Sequence, residues 1–428
     1  MNTAHDGTEK HDPYAPLRVP AYRTYLAGWI FALLGTQIQS VAIGWELFER
    51  THDALALGWV GLAQALPVIL LAIPGGQLSD RFDRRKIIMW TMFVAAGCSL
   101  GLTALSWFQG PVWAYYCVLT VGATATAIGW PARSALLPQL VPPALLPAAI
   151  TWNSSTYQLA CIVGPGLGGL IVAISPTVGF AVDACCMLSF GVALAFMSIA
   201  TSARTREPLS VESLMAGVKF VYRQKVIFAT ITLDLVAVLL GGATYLLPVF
   251  AQDILHVGAR EFGWLRAAPA VGSLAMAMYL THRPPMRHAG RAMLWAVAGF
   301  GAAVVVFGLS RNLWLSLFAL FITGLVDNIS VVVRQTLVQV LTPDHMRGRV
   351  SAVNTVFIGA SNELGGFESG LTARLFGPII SVVGGGLGSV LTTAFVAWKW
   401  PQVRAIGALH EVRPDEPEPK PSPEREAA

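Results

Sequence analysis

Apolar runs of about 20 residues follow one another along this chain with only short polar turns between them. They fall near 24–48, 54–78, 87–108, 112–137, 146–174, 177–200, 225–251, 261–281, 290–309, 312–341, 348–373 and 376–398. A helix rising 1.5 Å per residue crosses the roughly 30 Å hydrocarbon core of a bilayer in about that length. The longest polar interruption, 201–224, separates six runs from six. Within it Val211, Leu214, Met215, Val218 and Val221 recur at helical spacing opposite Glu212, Lys219 and Arg223. That spacing predicts an amphipathic helix lying on the membrane surface. The organisation is therefore a polar N-terminal segment 1–23, a helical half 24–200, a linker 201–224, a second half 225–400 and a tail 401–428. The tail is Pro/Glu-rich from Glu411 onward and expected to be disordered. No apolar core followed by a cleavage site opens the chain, so no secretory signal peptide is expected.

Composition strengthens the membrane assignment. Of the 428 residues 54% are hydrophobic and 12% charged, against about 25% charged in soluble domains, and mean hydropathy is +0.59. From Ile87 to Val182 the sole charged residue is Arg133. The five cysteines all sit in apolar stretches without metal-ligand spacing and read as small packing residues. The net charge of +5 is a topology signal: with the N-terminus cytoplasmic, 22 of the 29 Lys and Arg fall on the inner side and 5 (Arg50, Arg260, Arg266, Arg311, Arg374) on the outer. Both termini are thus expected in the cytoplasm, and no nucleic-acid partner is implied.

The halves repeat. A shift of 201 positions brings Arg133 onto Arg334, Pro142 onto Pro343, Asn153 onto Asn354, Gly164 onto Gly365 and Gly169 onto Gly370, and Gly58-Trp59 recurs as Gly263-Trp264. The pattern predicts an all-α integral membrane protein, with 12 transmembrane helices in two six-helix pseudo-symmetric halves. Such an arrangement shares a cavity near the bilayer midplane.

Between runs two and three stands Gly76-Gln77-Leu78-Ser79-Asp80-Arg81-Phe82-Asp83-Arg84-Arg85. Gly76 permits close helix approach, Asp80 can cap the next element or pair with Arg84, and the arginines anchor the turn in the cytoplasm. This string strongly resembles the signature loop of the major facilitator superfamily. The resemblance implies the major facilitator fold and a charge lock in which Asp80 and Arg84, beside Arg81 and Arg85, stabilise one state of a transport cycle. The matching loop from Thr281 to Arg291 lacks the Asp. In run five, Ala160, Gly164, Pro165, Gly168 and Gly169 resemble the antiporter motif of proton-driven exporters in that superfamily, with Ala160 where the family has its first glycine. Small residues four apart let backbones approach, and Pro165 bends the helix. The arginine such exporters carry early in run four is missing between Trp113 and Trp130, so its proton-relay role does not transfer to Arg133. Trp45-Glu46-Leu47, Leu57 to Gly61, Pro142 to Pro147 and Pro343 to Val350 followed by Asn354 are similar to the branch containing the enterobactin exporter and its drug-efflux-like relatives. The likeness covers about residues 15–400.

Charges inside runs cost about 2.5 kcal/mol or more each at mid-membrane and normally face a bundle interior or a cavity. Asp234, Asp327 and Glu363 are the proton or substrate candidates by depth, unless they serve in structural pairs. Arg334 is the modulating cation, seven residues from Asp327 on the same helical face. Gln37, Gln39, Asn328 and Asn362 can add hydrogen bonds to the cavity. Asp183 and Glu368 fall nearer the outer ends and are expected to be solvated.

No phosphate-binding loop, metal site or soluble catalytic domain is present in the sequence, so neither an enzyme nor a cofactor is expected. The function implied is a secondary active transporter of the bacterial inner (plasma) membrane, exporting a small amphipathic organic compound in exchange for protons. Lipid is its other partner, and no signal of oligomeric state is read. An importer or passive facilitator is the alternative within transporters, and a non-transporting receptor or scaffold the alternative outside them. Reporter fusions at Pro208, Pro284 and His410 should report cytoplasm and those at Gln109 and Asn312 periplasm. A periplasmic signal at Pro208 would break the six-plus-six topology.

Overall fold

The computed structural model describes residues 12–197, 211–284, 286–343 and 346–408. The first eleven residues, the first part of the linker and most of the tail lie outside them. Among the described residues the regular elements are helices: α1 (Pro20–Thr51), α2 (Ala54–Arg81), α3 (Arg84–Trp107), α4 (Val112–Leu140), α5 (Leu146–Val172) and α6 (Pro176–Phe196), then the linker helix α7 (Val211–Arg223), then α8 (Lys225–Leu240), α9 (Ala259–Thr281), α10 (Ala289–Leu309), α11 (Leu313–Leu341), α12 (Arg347–Phe376) and α13 (Pro378–Lys399). Ten of the described helices are long and apolar enough to cross a membrane. α9 and α12, of 23 and 30 residues, stand where the other two runs were expected and are consistent with twelve. They are more polar because α9 carries Arg260, Glu261 and Arg266, and α12 carries Glu363, Glu368 and three arginines.

Capping chemistry sets several boundaries. Ser175 accepts from the Thr177 N–H at the start of α6 (3.2 Å), and Asn312 Oδ1 accepts from the N–H groups of Trp314 and Leu315 at the start of α11 (2.9 and 3.2 Å). Each satisfies donors that a first helical turn leaves orphaned. α12 ends at Gly377, whose φ of 89° is open to glycine at little cost, and Pro378 starts α13.

The chain divides into two compact units, Met1–Ile43 with Leu70–Pro208, and Gly44–Ile69 with Leu209–Ala428. In the first, Tyr22, Tyr25, Trp29, Ile88, Leu136 and Phe190 belong to one buried core. α5 lies close against α1: a Cβ added at Gly164 would stand 2.5 Å from the Gln37 Cβ, and one at Gly168 would stand 3.0 Å from Val41. In the second unit the end of the α1–α2 hairpin packs on α12. Gly58 and Gly370 meet backbone to backbone, Trp59 sits edge-on against Phe367 at 5.4 Å, and Arg374 pairs with Asp53 at 3.1 Å. The linker helix forms, but Val218, Phe220 and Val221 pack against a core that includes Ile227, Met293, Val350 and Val353. Protein covers that part of the face expected to meet lipid.

α9 and α11 touch through backbone. A Cβ at Gly324 would collide with the Pro269 carbonyl oxygen, whereas one at Gly384 meets nothing within 4 Å. Gly324→Val should therefore destabilise the fold by about 1–3 kcal/mol or more, while Gly384→Ala leaves it unchanged. Thermal unfolding of detergent-solubilised protein, followed by size-exclusion chromatography, checks the contrast.

Candidate functional site

The second unit gathers its charges around a break in a helix. α8 ends at Leu240, and after Gly241 the chain tightens into a 3-10 turn over Gly242–Thr244 before resuming at Leu247. Glycine is required there because a side chain at Gly242 would collide with Ser369 and lie 2.8 Å from the Gly365 carbonyl oxygen. The break carries Tyr245 round to α12, where its hydroxyl donates to Glu363 Oε2 at 2.8 Å. Arg266 of α9 lies within electrostatic reach of the same carboxylate.

Beside the break is a cavity of about 230 Å³, lined among others by Asp234, Tyr245, Asp327, Ser330 and Asn362. Arg334 of α11 donates to Asp234 Oδ2 of α8. The two side chains are nearly sealed, at 4% and 7% exposure. Asp327, two turns before Arg334, also borders the cavity but makes no hydrogen bond or ion pair among the described residues. Two carboxylates thus stand near one guanidinium, and Asp234 takes it. Five of the predicted candidates, Asp234, Asp327, Arg334, Glu363 and Asn362, come together here. Asn328 stays on α11 with its amide donating to Ser273 of α9 at 3.0 Å.

The other candidates lie in the first unit. Gln37 of α1 donates to Cys161 Sγ of α5 at 3.1 Å. It stands on the face where Ala160, Gly164 and Gly168 are buried, with Pro165 inside the helix and Gly169 beneath. Asn153 and Asn354, matched by the repeat, each bury a side-chain carbonyl oxygen that no described group satisfies.

At the α2–α3 turn the helix cap is Asp83, accepting from the Arg85 N–H at 3.0 Å. This corrects the expectation that Asp80 caps the next element: Asp83 directly precedes α3 and Asp80 is still inside α2. The Asp80 side chain lies outside the described residues. Arg84 donates to the carbonyls of Ser79 (3.3 Å) and Ala135 (3.2 Å), and Arg85 to that of Leu194 at 2.6 Å. Both thereby meet carbonyl groups near the ends of α2, α4 and α6, where helix dipoles favour a cation. Gly76 is buried and Arg81 exposed.

Asp183 departs from expectation. It is 1% exposed rather than solvated, because its side chain turns into the unit onto Ser99 of α3 and Gln39 of α1. Its Oδ2 accepts from Ser99 Oγ at 2.5 Å and Gln39 Nε2 at 2.9 Å, while Oδ1 has no partner. Glu368 is partly buried, its carboxylate 3.4 Å from the Ser369 hydroxyl. Tyr245 and Arg266 were missed. Tyr245 lies inside the run 225–251 and Arg266 inside 261–281, and a charge within a run was the one available signal, for Arg266.

Membrane-crossing helices that surround a charged, partly sealed cavity define a small-molecule transporter rather than an enzyme. No group of three or more metal-ligating residues occurs among the described residues. The chain belongs to the transmembrane secretion effector family of the major facilitator superfamily, whose family model matches residues 11–421. It is 27% identical to the multidrug efflux pump Tap of Mycolicibacterium fortuitum, over 77% of this chain and 84% of that protein. It is 23% identical to the enterobactin exporter EntS of Citrobacter koseri, over 94% and 96%. In structure it is similar to a bacterial homologue of the human lysosomal transporter Spinster in an inward-facing, occupied conformation, with TM-score 0.72, 13% identity and 91% and 98% coverage. The nucleoside transporter NupG gives 0.65, 11%, 92% and 100%. These structural likenesses bear on the fold alone.

Removing one member of a sealed ion pair leaves the other uncompensated, at a cost of about 3–5 kcal/mol. Arg334→Met should lower thermal stability by about that much, and adding Asp234→Leu should recover part of the loss. Equal stability of the single variant and the parent would show that the pair carries no such strain.

Proposed function

We propose that the protein is a secondary active exporter of the bacterial inner membrane, with both termini cytoplasmic. It moves a small amphipathic organic compound outward by alternating access, in exchange for protons. The relatives named as a drug efflux pump and a siderophore exporter support outward transport of such a compound.

One observation carries the coupling: Asp327 borders the cavity without a partner, while the nearest guanidinium is already held by Asp234. With all three groups ionised the cluster has one uncompensated negative charge, and a single proton brings it to neutrality. Charge buried without compensation is costly in a lipid-embedded bundle, so protonation and the closing of the cavity favour each other. Glu363, held by Tyr245, is the next acid along the same wall.

Arg84 and Arg85, bonded to helix-end carbonyls, support the α2–α3 turn as the lock between transport states, with Asp80 as its acidic partner. The small residues of α5 bring it close against α1, as the antiporter-like motif implies, and exposed Arg81 suits contact with lipid headgroups.

Asp327→Asn, assayed in proteoliposomes, should abolish uphill transport driven by a pH gradient and preserve downhill exchange of substrate. Loss of both modes together with lower protein abundance would make Asp327 structural. Retained uphill transport in Asp327→Asn, Asp234→Asn and Glu363→Gln alike would rule out coupling through this cluster.

A further inference from the structure

We propose that Arg133, with Trp29 and Trp130, forms an anion-binding site in the first unit that holds the acidic group of a flat, ring-bearing cargo. This names the substrate class for the transporter proposed above and rests on that reading.

Arg133 of α4 stacks its guanidinium 3.7 Å from the centre of the Trp29 ring and 4.8 Å from that of Trp130. Rings attract the face of a guanidinium, but its five N–H donors lie in the plane and need acceptors. Arg133 donates to none among the described residues. Nor does any described carboxylate of this unit serve: Asp12 pairs with Arg18, Asp83 caps α3, and Asp183 accepts from Ser99 and Gln39.

A second, independent observation lies against the first. Trp29 is 8% exposed and its Nε1–H is buried without a partner. An unmet buried donor is costly, and the Trp29 Nε1–H lies on the same ion-and-ring stack as the Arg133 donors, so one acceptor serves both. The approach is open, since Trp130 and Tyr157 are 51% and 49% exposed and Tyr157 lies within electrostatic reach of Arg133.

The repeat sharpens the case. In the second unit the matching Arg334 meets Asp234. With Gly58-Trp59 laid on Gly263-Trp264, the residue at the place of Asp234 is Trp29. At one arginine the chain supplies its own anion, and at the other it supplies a ring and leaves the donors vacant. The ligand that completes such a site carries a carboxylate or ionised phenol for the guanidinium edge. Its aromatic plane lies against Trp130. A permanent cation is repelled.

The full-length protein in neutral detergent is tested by equilibrium binding of three probes of one shape: 2-naphthoate, neutral 2-naphthamide and a trimethylnaphthylammonium cation. The naphthoate should bind about tenfold tighter than the amide, and the cation weaker than both. Arg133→Gln should erase the preference, Arg133→Lys should keep part of it as a charge without the fork, and Trp29→Phe should weaken naphthoate while sparing the amide. If Arg133→Gln does not accumulate, the lysine and phenylalanine variants decide. Equal binding of naphthoate and amide by the parent overturns the proposal, as does full discrimination in the variants. The same assay with anionic phosphatidylglycerol added separates sources of the anion: competitive loss of naphthoate binding makes a lipid phosphate the occupant and overturns the cargo assignment. If the naphthoate preference fails while Asp327→Asn still uncouples uphill transport, the substrate class falls and the coupled transporter stands.

Discussion

A carboxylate placed among apolar helices must find a cation, a hydrogen-bond donor or a proton, because hydrocarbon offers no water to compensate it. The second unit is organised by that constraint. Asp234 has Arg334, Glu363 has the Tyr245 hydroxyl, and Asp327 makes no hydrogen bond or ion pair among the described residues. Even the break after Leu240 follows from it. A continuous α8 would carry Tyr245 onward in its regular register, and glycine at 242 is what lets the chain turn so close to α12. The backbone irregularity sits where it lines a cavity, which is where a membrane bundle tolerates it.

Close packing between helices is achieved by removing side chains. Gly164 and Gly168 bring α5 onto α1, Gly324 brings α11 onto α9, and Gly58 meets Gly370. Lipid tails are as apolar as leucine, so helix association in a bilayer draws on van der Waals contact rather than on the hydrophobic effect. The paired orphans at Asn153 and Asn354 belong to the same account. The repeat thus places two asparagines alike, each with a buried oxygen that no described group satisfies.

Much of this was legible in the chain. Hydropathy runs located the helices, since a bilayer sets their length, and the 201-residue register paired Arg133 with Arg334. The acids of the second half could be named because a charge within an apolar run is rare enough to stand out. Pairing could not be read: Arg334 shares a helical face with Asp327, yet its bond is to Asp234, 100 residues earlier. Depth was misjudged for Asp183: its run placed it only a few residues from one end, and the sequence could not show that it turns inward onto Ser99 and Gln39. The cap at Asp83 was missed because Asp80 and Asp83 flank the same arginines, and only the helix boundary distinguishes them. Tyr245 was invisible because an aromatic residue in an apolar stretch carries no mark of the hydroxyl partner it will meet.

The two halves kept one arginine each and diverged in what faces it. Had both retained an acid, each guanidinium would be neutralised internally and neither half could respond to an anionic ligand. Had both lost it, two uncompensated cations would burden the fold. The observed arrangement neutralises Arg334 with Asp234 and leaves Asp327 as the group whose charge a proton can change. Arg133, stacked on Trp29, is in the proposed reading the group whose charge an anionic cargo compensates. Coupling between two such sites is reciprocal by thermodynamic necessity: whatever the proton does to cargo affinity, the cargo does to proton affinity. An exchanger needs that linkage to be negative in the state that swaps one for the other. On the proposed reading a proton relieves the cost at Asp327 and an anionic cargo the cost at Arg133, so the two ligands act on different groups.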